Sequence, residues 1–328
     1  MRIFGIGSVC IDFLSFVEKY PKRDQKIRST FSEILLGGNC SNVLRTLKQF
    51  SKNYEINLIS TIGNDSNSNL ILKTLKKEEI ETKFILEQKM KTPFTYIIVD
   101  KETNTRTCIH SPSEFDLRID FEIENEKINF LFLDGRQLTS SVIEFISKLK
   151  NVQILLDYEK FRKEKLEKEF LLRKIDYLIS PKEQVLKLGE DENLLNSMKL
   201  ILEEYRNLKF LISTLGKEGS LMIYKNEENL KFDEINSFEE MKKINFSTKV
   251  KTFCYGKFII IYCKIYDIKD IIDTTGCGDA FSASIIHGIL MKFDKKKMLK
   301  FASKVASKKC NFIGGCGRYE IESLINEI

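Results

Sequence analysis

The sequence predicts an α/β protein: a mostly parallel sheet flanked by helices, with a small β lid set apart from it. Three observations carry that expectation. Between residues 130 and 214, apolar strand-like runs alternate with helical runs, the pattern of parallel βαβ units. Two other stretches, about 13–36 and 90–110, read as strand pairs divided by turns, and they form the lid. The length, 328 residues with 42% hydrophobic content, is ample for a buried core in one large domain spanning 1–328.

The elements follow in order. Ile3-Phe4-Gly5-Ile6-Gly7 reads as a first strand; it ends in Gly-x-Gly, but the third glycine and the helix of a dinucleotide site are missing. Extended segments 13–19 and 27–36 flank the turn Tyr20-Pro21-Lys22-Arg23-Asp24. Leu36-Gly37-Gly38-Asn39 then opens a helix, because Cys40, Val43, Leu44, Leu47 and Phe50 keep helical spacing. Ile56–Ile62 is a core strand, and Gly63-Asn64-Asp65 leads into a helix ending near Lys77. Phe94–Val99 and Thr105–Ile109 pair around Lys101-Glu102-Thr103-Asn104. Strands at Phe130–Leu133, Ile154–Leu156, Tyr177–Ile179 and Phe210–Thr214 alternate with helices from Thr139 and within 182–206. Residues 225–257 are rich in Lys, Glu and Asn without a clear period, which predicts a charged, mobile insertion before a strand at Phe258–Tyr262. Asp270-Ile271-Ile272 reads as a short strand, followed by a helix to about Lys292 with one buried stripe that includes Phe281, Ile285 and Ile289. A last helix runs from Lys295 to Cys310.

Composition narrows the function. The net charge of +6 comes from 53 basic and 47 acidic residues that are interspersed, so the surface is solvated rather than a nucleic-acid footprint. Lys295-Lys296-Lys297 is the solvent side of a helix whose apolar face is Met298, Phe301, Ala302 and Val305. No run is long enough to suggest a membrane span or leader, so no membrane partner is expected. Eight scattered cysteines without a Cys-x-x-Cys pair fit reduced thiols in the cytoplasm. Only His110 and His287 are available, which argues against a histidine-rich metal centre; His287 reads as core packing. No Gly-x-x-x-x-Gly-Lys-[Ser/Thr] is present, so a P-loop nucleotide site is set aside.

Chemistry concentrates at Asp273-Thr274-Thr275-Gly276-Cys277-Gly278-Asp279-Ala280-Phe281. Gly276 and Gly278 allow unusual backbone angles, so the amides of 276–279 converge at a helix N-terminus as a nest for an anion. Asp279 in the first turn is placed to stay ionised and accept a proton. Phosphoryl transfer to a hydroxyl needs those two functions together. The plainer reading is a capped helix after a glycine turn, with Asp279 a solvated first-turn acid. At the other end of the chain, Asn39 and Asn42 lie one helical turn apart, and two carboxamides beside a glycine backbone suit a ligand made of hydroxyls.

The first run resembles the Asp-Thr-x-Gly-Ala-Gly-Asp signature of the ribokinase-like (PfkB) carbohydrate kinases, and Gly37-Gly38-Asn39-Cys40-Ser41-Asn42 resembles their Gly-Gly-x-x-x-Asn signature. The resemblance implies a ribokinase-like three-layer α/β/α fold with a β lid. It implies Asp279 as catalytic base and Gly276, Cys277 and Gly278 as the anion hole, with Cys277 where the family usually has Ala. Asp12, Gly38, Asn39 and Asn42 would hold the sugar. Arg106 would approach the phosphates. Thr214, Gly216 and Gly219 match a Thr-x-Gly-x-x-Gly nucleotide motif, and Cys310 would line the adenine pocket. Glu183 matches the Glu of the Asn-x-x-Glu that positions Mg2+, while Ser180 departs from its Asn. ATP and Mg2+ are therefore expected, with K+ as a candidate monovalent cation.

Within the family the likeness is to ketohexokinases: Ile11-Asp12-Phe13-Leu14-Ser15, Lys19-Tyr20-Pro21-Lys22, Asp134-Gly135-Arg136-Gln137, Glu159-Lys160 and Lys308-Lys309-Cys310. It implies phosphorylation of a primary hydroxyl on a ketose such as fructose. It also implies a homodimer through the lid, in which Asp24 reaches the sugar of the partner subunit. Ribose or adenosine is the alternative acceptor. A sugar-binding protein that has lost turnover is the alternative class, against which the retained Asp279 and glycine nest argue.

Overall fold

The computed structural model describes the chain except residues 104, 113–115, 122, 124–127, 160–164 and 245–246 and the side chains of 165–167. Asn104 and Lys160, quoted above, lie outside the described residues. In chain order the elements are β1 (Arg2–Ile6), β2 (Cys10–Val17), β3 (Phe31–Gly37), α1 (Asn39–Phe50), β4 (Glu55–Ile62), α2 (Ser66–Lys77), β5 (Ile80–Glu81), β6 (Ile85–Glu87), β7 (Phe94–Asp100) and β8 (Thr105–Ser111). The alternating half follows as β9 (Phe130–Leu133), α3 (Ser140–Lys148), β10 (Gln153–Asp157), α4 (Lys165–Leu172), β11 (Tyr177–Pro181), α5 (Lys182–Gly189), α6 (Leu194–Glu204) and β12 (Phe210–Thr214). Then come β13 (Ser220–Lys225), α7 (Phe238–Lys243), β14 (Val250–Tyr255), β15 (Phe258–Cys263), α8 (Cys277–Leu290), α9 (Lys295–Lys309) and α10 (Ile321–Asn326).

The main sheet runs β14-β15-β13-β12-β11-β10-β9-β1-β4-β5, with β6 also on β4. Every pairing from β5 to β12 is parallel, and the β13, β15 and β14 edge is antiparallel. Strands buried on both faces read as unbroken apolar runs, and β9, Phe-Leu-Phe-Leu, is fully buried. Alternate residues serve opposite cores. Phe130, Phe132, Leu155 and Ile212 pack with Val43 and Leu44 of α1, Ile285 of α8 and Phe301 of α9; Leu131, Leu133, Ile154 and Leu211 pack with Val142 of α3, Val185 of α5 and Met198 of α6. Three layers result, helices on both faces of one sheet. No described helix is long and apolar enough to cross a membrane.

The four-stranded second sheet, β3-β2-β7-β8, is the expected lid. Its register sorts the side chains. The rows Leu35, Asp12, Thr95, His110 and Glu33, Leu14, Ile97, Cys108 and Phe31, Phe16, Val99, Arg106 share one face. Ile34, Phe13, Tyr96 and Ile109 form a row on the other.

Three expectations need correction. Asp270–Ile272 is not a strand: Asp270 is left-handed (φ 57°), Ile271 and Ile272 are 47% and 46% exposed, and the Ile272 amide donates to the Cys310 carbonyl at the end of α9. Strand-forming side chains do not make a strand where no sheet edge is in reach. Residues 225–257, expected to be a charged, mobile insertion without a clear period, carry α7 and β14. Ile235, Phe238, Met241 and Phe253 are buried there, and lysines and glutamates on the solvent side mask the period. Helix α8 is buried on all sides from Asp279 to Gly288 rather than along one stripe, because α1 and α9 both pack against it.

His287 is a core residue, as its place in α8 suggested. Its Nδ1 meets the Tyr54 hydroxyl at 2.9 Å, and Phe50, Phe293 and Phe301 surround the ring. Burial holds its pKa down at about 4, against an ordinary 6.5. Between those values the unfolded chain binds a proton that the folded chain refuses, so His287 removes stability as pH falls. His287→Phe is therefore expected to lose less stability than the parent between about pH 7 and about pH 5 in urea midpoints. An equal loss in both proteins would assign the acid sensitivity elsewhere.

Candidate active site

A cavity of about 240 Å³ lies between the lid and the C-terminal ends of the parallel strands. Open parallel sheets bind ligands at that end. The lid contributes Asp12, Thr95, Ile97, Arg106, Cys108 and His110, all from its inner rows. Gly38, Asn39 and Asn42 come from the start of α1, and Thr275, Gly276, Gly278 and Asp279 from the start of α8. Arg136 and Glu159 follow β9 and β10.

The α8 turn is tightly determined. Gly276 is left-handed (φ 76°), and a Cβ there would lie 2.0 Å from the Gly315 carbonyl oxygen. Gly278 is already helical, so the expectation that both glycines are needed for unusual angles holds only for Gly276; a Cβ at Gly278 meets nothing within 4 Å, and its role is to leave the cavity open. The first amides of a helix have no intrahelical partner. The Cys277 amide is 3.4 Å from the Thr274 carbonyl, and its thiol lies 3.3 Å from that of Cys310. The Asp273 carboxylate accepts from the Thr275 and Gly314 amides, both at 2.8 Å, and so braces the turn from below.

Asp279 is buried, and Asn42 Nδ2 donates to its Oδ2 at 2.8 Å. Burial raises its carboxyl well above the usual range; the Asn42 bond opposes this, and the Glu159 and Asp157 carboxylates add to it. The expectation that a helix N-terminus keeps this acid ionised took no account of that desolvation. A raised proton affinity suits a base working near neutrality. Asp12 is likewise raised to about 6 by burial, against hydrogen bonds from Cys10 and Thr95. Arg136 pairs with Glu159, and its amide donates to Asp134 at 3.0 Å. Asp134 also accepts from the Ser8 amide and hydroxyl, both at 2.6 Å. Arg106 donates to the Thr274 hydroxyl, tying the lid to the motif turn.

Asp12, Gly38, Asn39, Asn42, Arg106, Gly276, Gly278 and Asp279 thus meet in one cavity. Asp24 does not line it: it is exposed on the β2–β3 connection in a left-handed conformation. Glu183, in the first turn of α5, Thr214, the last residue of β12, and Gly216 and Gly219 beyond it sit at the same end of the sheet but outside this cavity. A Cβ on Gly219 would lie 2.1 Å from the Cys263 carbonyl oxygen, whereas Gly216 faces open space. Cys310 is buried outside this cavity, its thiol 3.3 Å from that of Cys277.

Thr95, His110, Cys108 and Ser8 had not been singled out in the sequence. The signal for Thr95, His110 and Cys108 is the strand register that puts them on the Asp12 face, which one sequence does not disclose, and Ser8 is placed by the β1–β2 connection through its bonds to Asp134. In the sequence Arg136 and Glu159 enter only through the ketohexokinase likeness, without a site role, and it is the fold that brings them to the cavity.

A family model described as pfkB family carbohydrate kinase matches residues 2–237 and 261–317. The chain belongs to that family. The kinase has the ribokinase-like fold and is a phosphotransferase with an alcohol acceptor, a sugar kinase of an ATP-using family. It is 22% identical over 293 residues to an ATP-dependent 6-phosphofructokinase of Thermoanaerobacterium thermosaccharolyticum, covering 85% of this chain and 80% of that one. It is 19% identical to the ketohexokinase of Mus musculus over 95% of this chain and 97% of that enzyme. The structure of Arabidopsis thaliana ribokinase complexed with ribose and ATP superposes with a TM-score of 0.73 at 17% identity, covering 99% and 98% of the two chains. The unmatched stretch 238–260 carries α7 and β14.

If Asp279 serves as the base, kcat should show an acid limb well above the usual carboxylate range, since the raised carboxyl would have to lose its proton first. Asn42→Leu removes the bond that lowers its pKa, so the limb should move to higher pH. A limb unmoved in Asn42→Leu would mean that another group controls it.

Proposed function

We propose that this kinase transfers the γ-phosphoryl group of ATP to a primary hydroxyl of a ketose such as fructose, with Asp279 as the base. The observation that carries the reading is Asn42. Its Nδ2 orients the Asp279 carboxylate, and its Oδ1 is buried without a protein partner. An unpaired buried acceptor costs about 1–3 kcal/mol, so a ligand hydroxyl donating there would be strongly favoured. The Thr275 hydroxyl is orphaned in the same cavity. Asp12 and Asn39 add groups for neighbouring hydroxyls. A cavity of about 240 Å³ is smaller than the ~300–1,000 Å³ of drug-sized sites, which favours a monosaccharide over a nucleoside.

In this mechanism the acceptor hydroxyl lies against Asp279 and gives up its proton as its oxygen attacks in line. The open cradle at Gly278 and the amides at the α8 N-terminus receive the charge on the transferring group. Arg106, anchored on Thr274, supplies a cation from the lid. Thr214, Gly216 and Gly219 belong to the nucleotide side, with Cys310 beyond Cys277 on the adenine side. Mg2+ is held by one or two carboxylates with water and substrate phosphates, and Glu183, an exposed carboxylate in the first turn of α5 at the C-terminal end of the sheet, would supply one of them. Bound there, the ion would neutralise phosphate charge. The chain is read as one kinase domain, with 225–257 an elaboration of the sheet edge, working in the cytoplasm as a homodimer.

The dimer reading rests on the outer lid row. Ile34, Tyr96 and Ile109 are 54%, 51% and 54% exposed, with Phe13 between them. A continuous apolar row on an open sheet suits a second copy of the same face. Asp24, on the adjoining loop, would then face the partner subunit.

ADP release across fructose, ribose and adenosine tests the assignment, and fructose is expected to give the highest kcat/KM. Asp279→Asn should bind nucleotide normally yet turn over ~10² to 10⁴-fold more slowly, as loss of a general base does. Turnover comparable to the parent would reduce Asp279 to a structural acid; adenosine preference would overturn the ketose while leaving the kinase. Light scattering should give twice the chain mass for the parent and the chain mass for Tyr96→Glu. A monomeric parent with full activity rules out the lid dimer and Asp24 with it.

A further inference from the structure

Lys309, the last residue of α9, is 0% exposed. Lysine is almost never fully buried unless it is paired. Among the described residues no carboxylate bonds the ammonium; it donates to the main-chain carbonyls of Asp273, at 3.1 Å, and Phe312, at 2.8 Å. Those carbonyls belong to the two segments that build the floor of the anion turn. The Asp273 carboxylate lies near the ammonium, with its oxygens bonded to the Thr275 and Gly314 amides. A cation held by backbone oxygens beneath a phosphate-binding turn is the chemistry of a monovalent cation site, with the ion tethered to the chain. Burial lowers the Lys309 pKa, while the nearby Asp273 charge acts to keep the proton on.

We propose that Lys309 is a positioning residue whose ammonium takes the place of free K+ in this kinase, bracing residues 273–276 and lending positive potential to the anion hole. The K+ considered from the sequence therefore does not fit beneath this turn. Two of the oxygens that would coordinate it are engaged, and a second cation beside the buried ammonium would be repelled at short range in a poorly solvated site. The inference rests on the kinase reading of the α8 turn, but part of its test does not.

The experiment compares parent, Lys309→Ala and Lys309→Met in potassium, ammonium and choline chloride at equal ionic strength. The parent is expected to give the same kcat in all three salts. Lys309→Ala should lose about tenfold or more in kcat in choline, as removal of a positioned charge from such a site does, with the acceptor KM little changed. Potassium or ammonium should restore it, whereas Lys309→Met, which fills the space with an uncharged chain, should stay impaired in every salt. Melting without substrates supplies the readout independent of catalysis: potassium should raise the melting temperature of Lys309→Ala and leave the parent unmoved. Activation of the parent by potassium over choline would overturn the proposal even if neither variant folds. So would a Lys309→Ala protein equally active in choline, or one whose deficit and melting temperature no cation changes. A parent without phosphotransfer to any acceptor would defeat the kinase reading alone, and the melting comparison would still decide the cation.

Discussion

The site depends on Asp273. Its carboxylate is buried and satisfies two amides, Thr275 on its own turn and, 41 residues on, Gly314, while its carbonyl receives the Lys309 ammonium. Hydrogen bonds to an ionised group are about twice as strong as neutral ones, and here they join segments that share no helix or sheet ladder. The close approach of Gly276 to Gly315 follows from that clamp, since no side chain fits between them. With the turn fixed, α8 can point its unpaired amides at the cavity, and the residue two places into the helix becomes the carboxylate beside them.

That arrangement gathers acids. Asp12, Asp134 and Asp279 are buried at or beside one cavity and Asp157 is half-buried near them, with Glu159 paired to Arg136 as the nearest compensation. Burial is the first cause in each case. Asp157 is raised to about 7 despite the Ser282 hydroxyl 2.6 Å from its Oδ2, and Glu159 and Asp134 raise it further. A carboxyl whose folded pKa exceeds its unfolded value binds its proton more tightly in the folded state. Such groups contribute stability below pH 3.8, the ordinary value, and lose it as pH rises through about 6 for Asp12 and about 7 for Asp157. The proton acceptor is thus made basic by neighbours that weaken the fold near neutrality, the trade expected where function sets pKa values.

Much of this was legible in the chain because the physics involved is local. Apolar runs such as Phe130–Leu133 declare a strand buried on both faces, and a glycine turn before a helix declares an anion site. Asp12 and Asn42 were reachable by residue chemistry and family likeness together. What stayed hidden is decided by partners distant in sequence. Ile271 and Ile272 look like a strand until the helix end at Cys310 takes the Ile272 amide. Asp279 looks like an exposed first-turn acid until α1 and α9 close over its helix. Lys309 enters the sequence reading only as part of the Lys308-Lys309-Cys310 likeness, and only the fold shows it turning inward.

The lid shows how little sequence separates two purposes. On β2 and β7, Asp12 and Thr95 face the cavity, and Phe13 and Tyr96, one residue on, face outward. The period of two forces that division, because a one-residue slip would bring the aromatic row into the cavity and expose the carboxylate. Register is specified from the inside, where Leu14, Phe16, Ile97 and Val99 form a small core of their own beneath the strands. The outer row is therefore aligned across four strands at no further cost, as a consequence of burying the inner one. A partner docking on that row would press on strands whose opposite faces carry Asp12, Thr95 and Arg106. Subunit contact and substrate contact in the proposed dimer would then be two faces of one sheet, coupled by its pleat rather than by any separate signalling element.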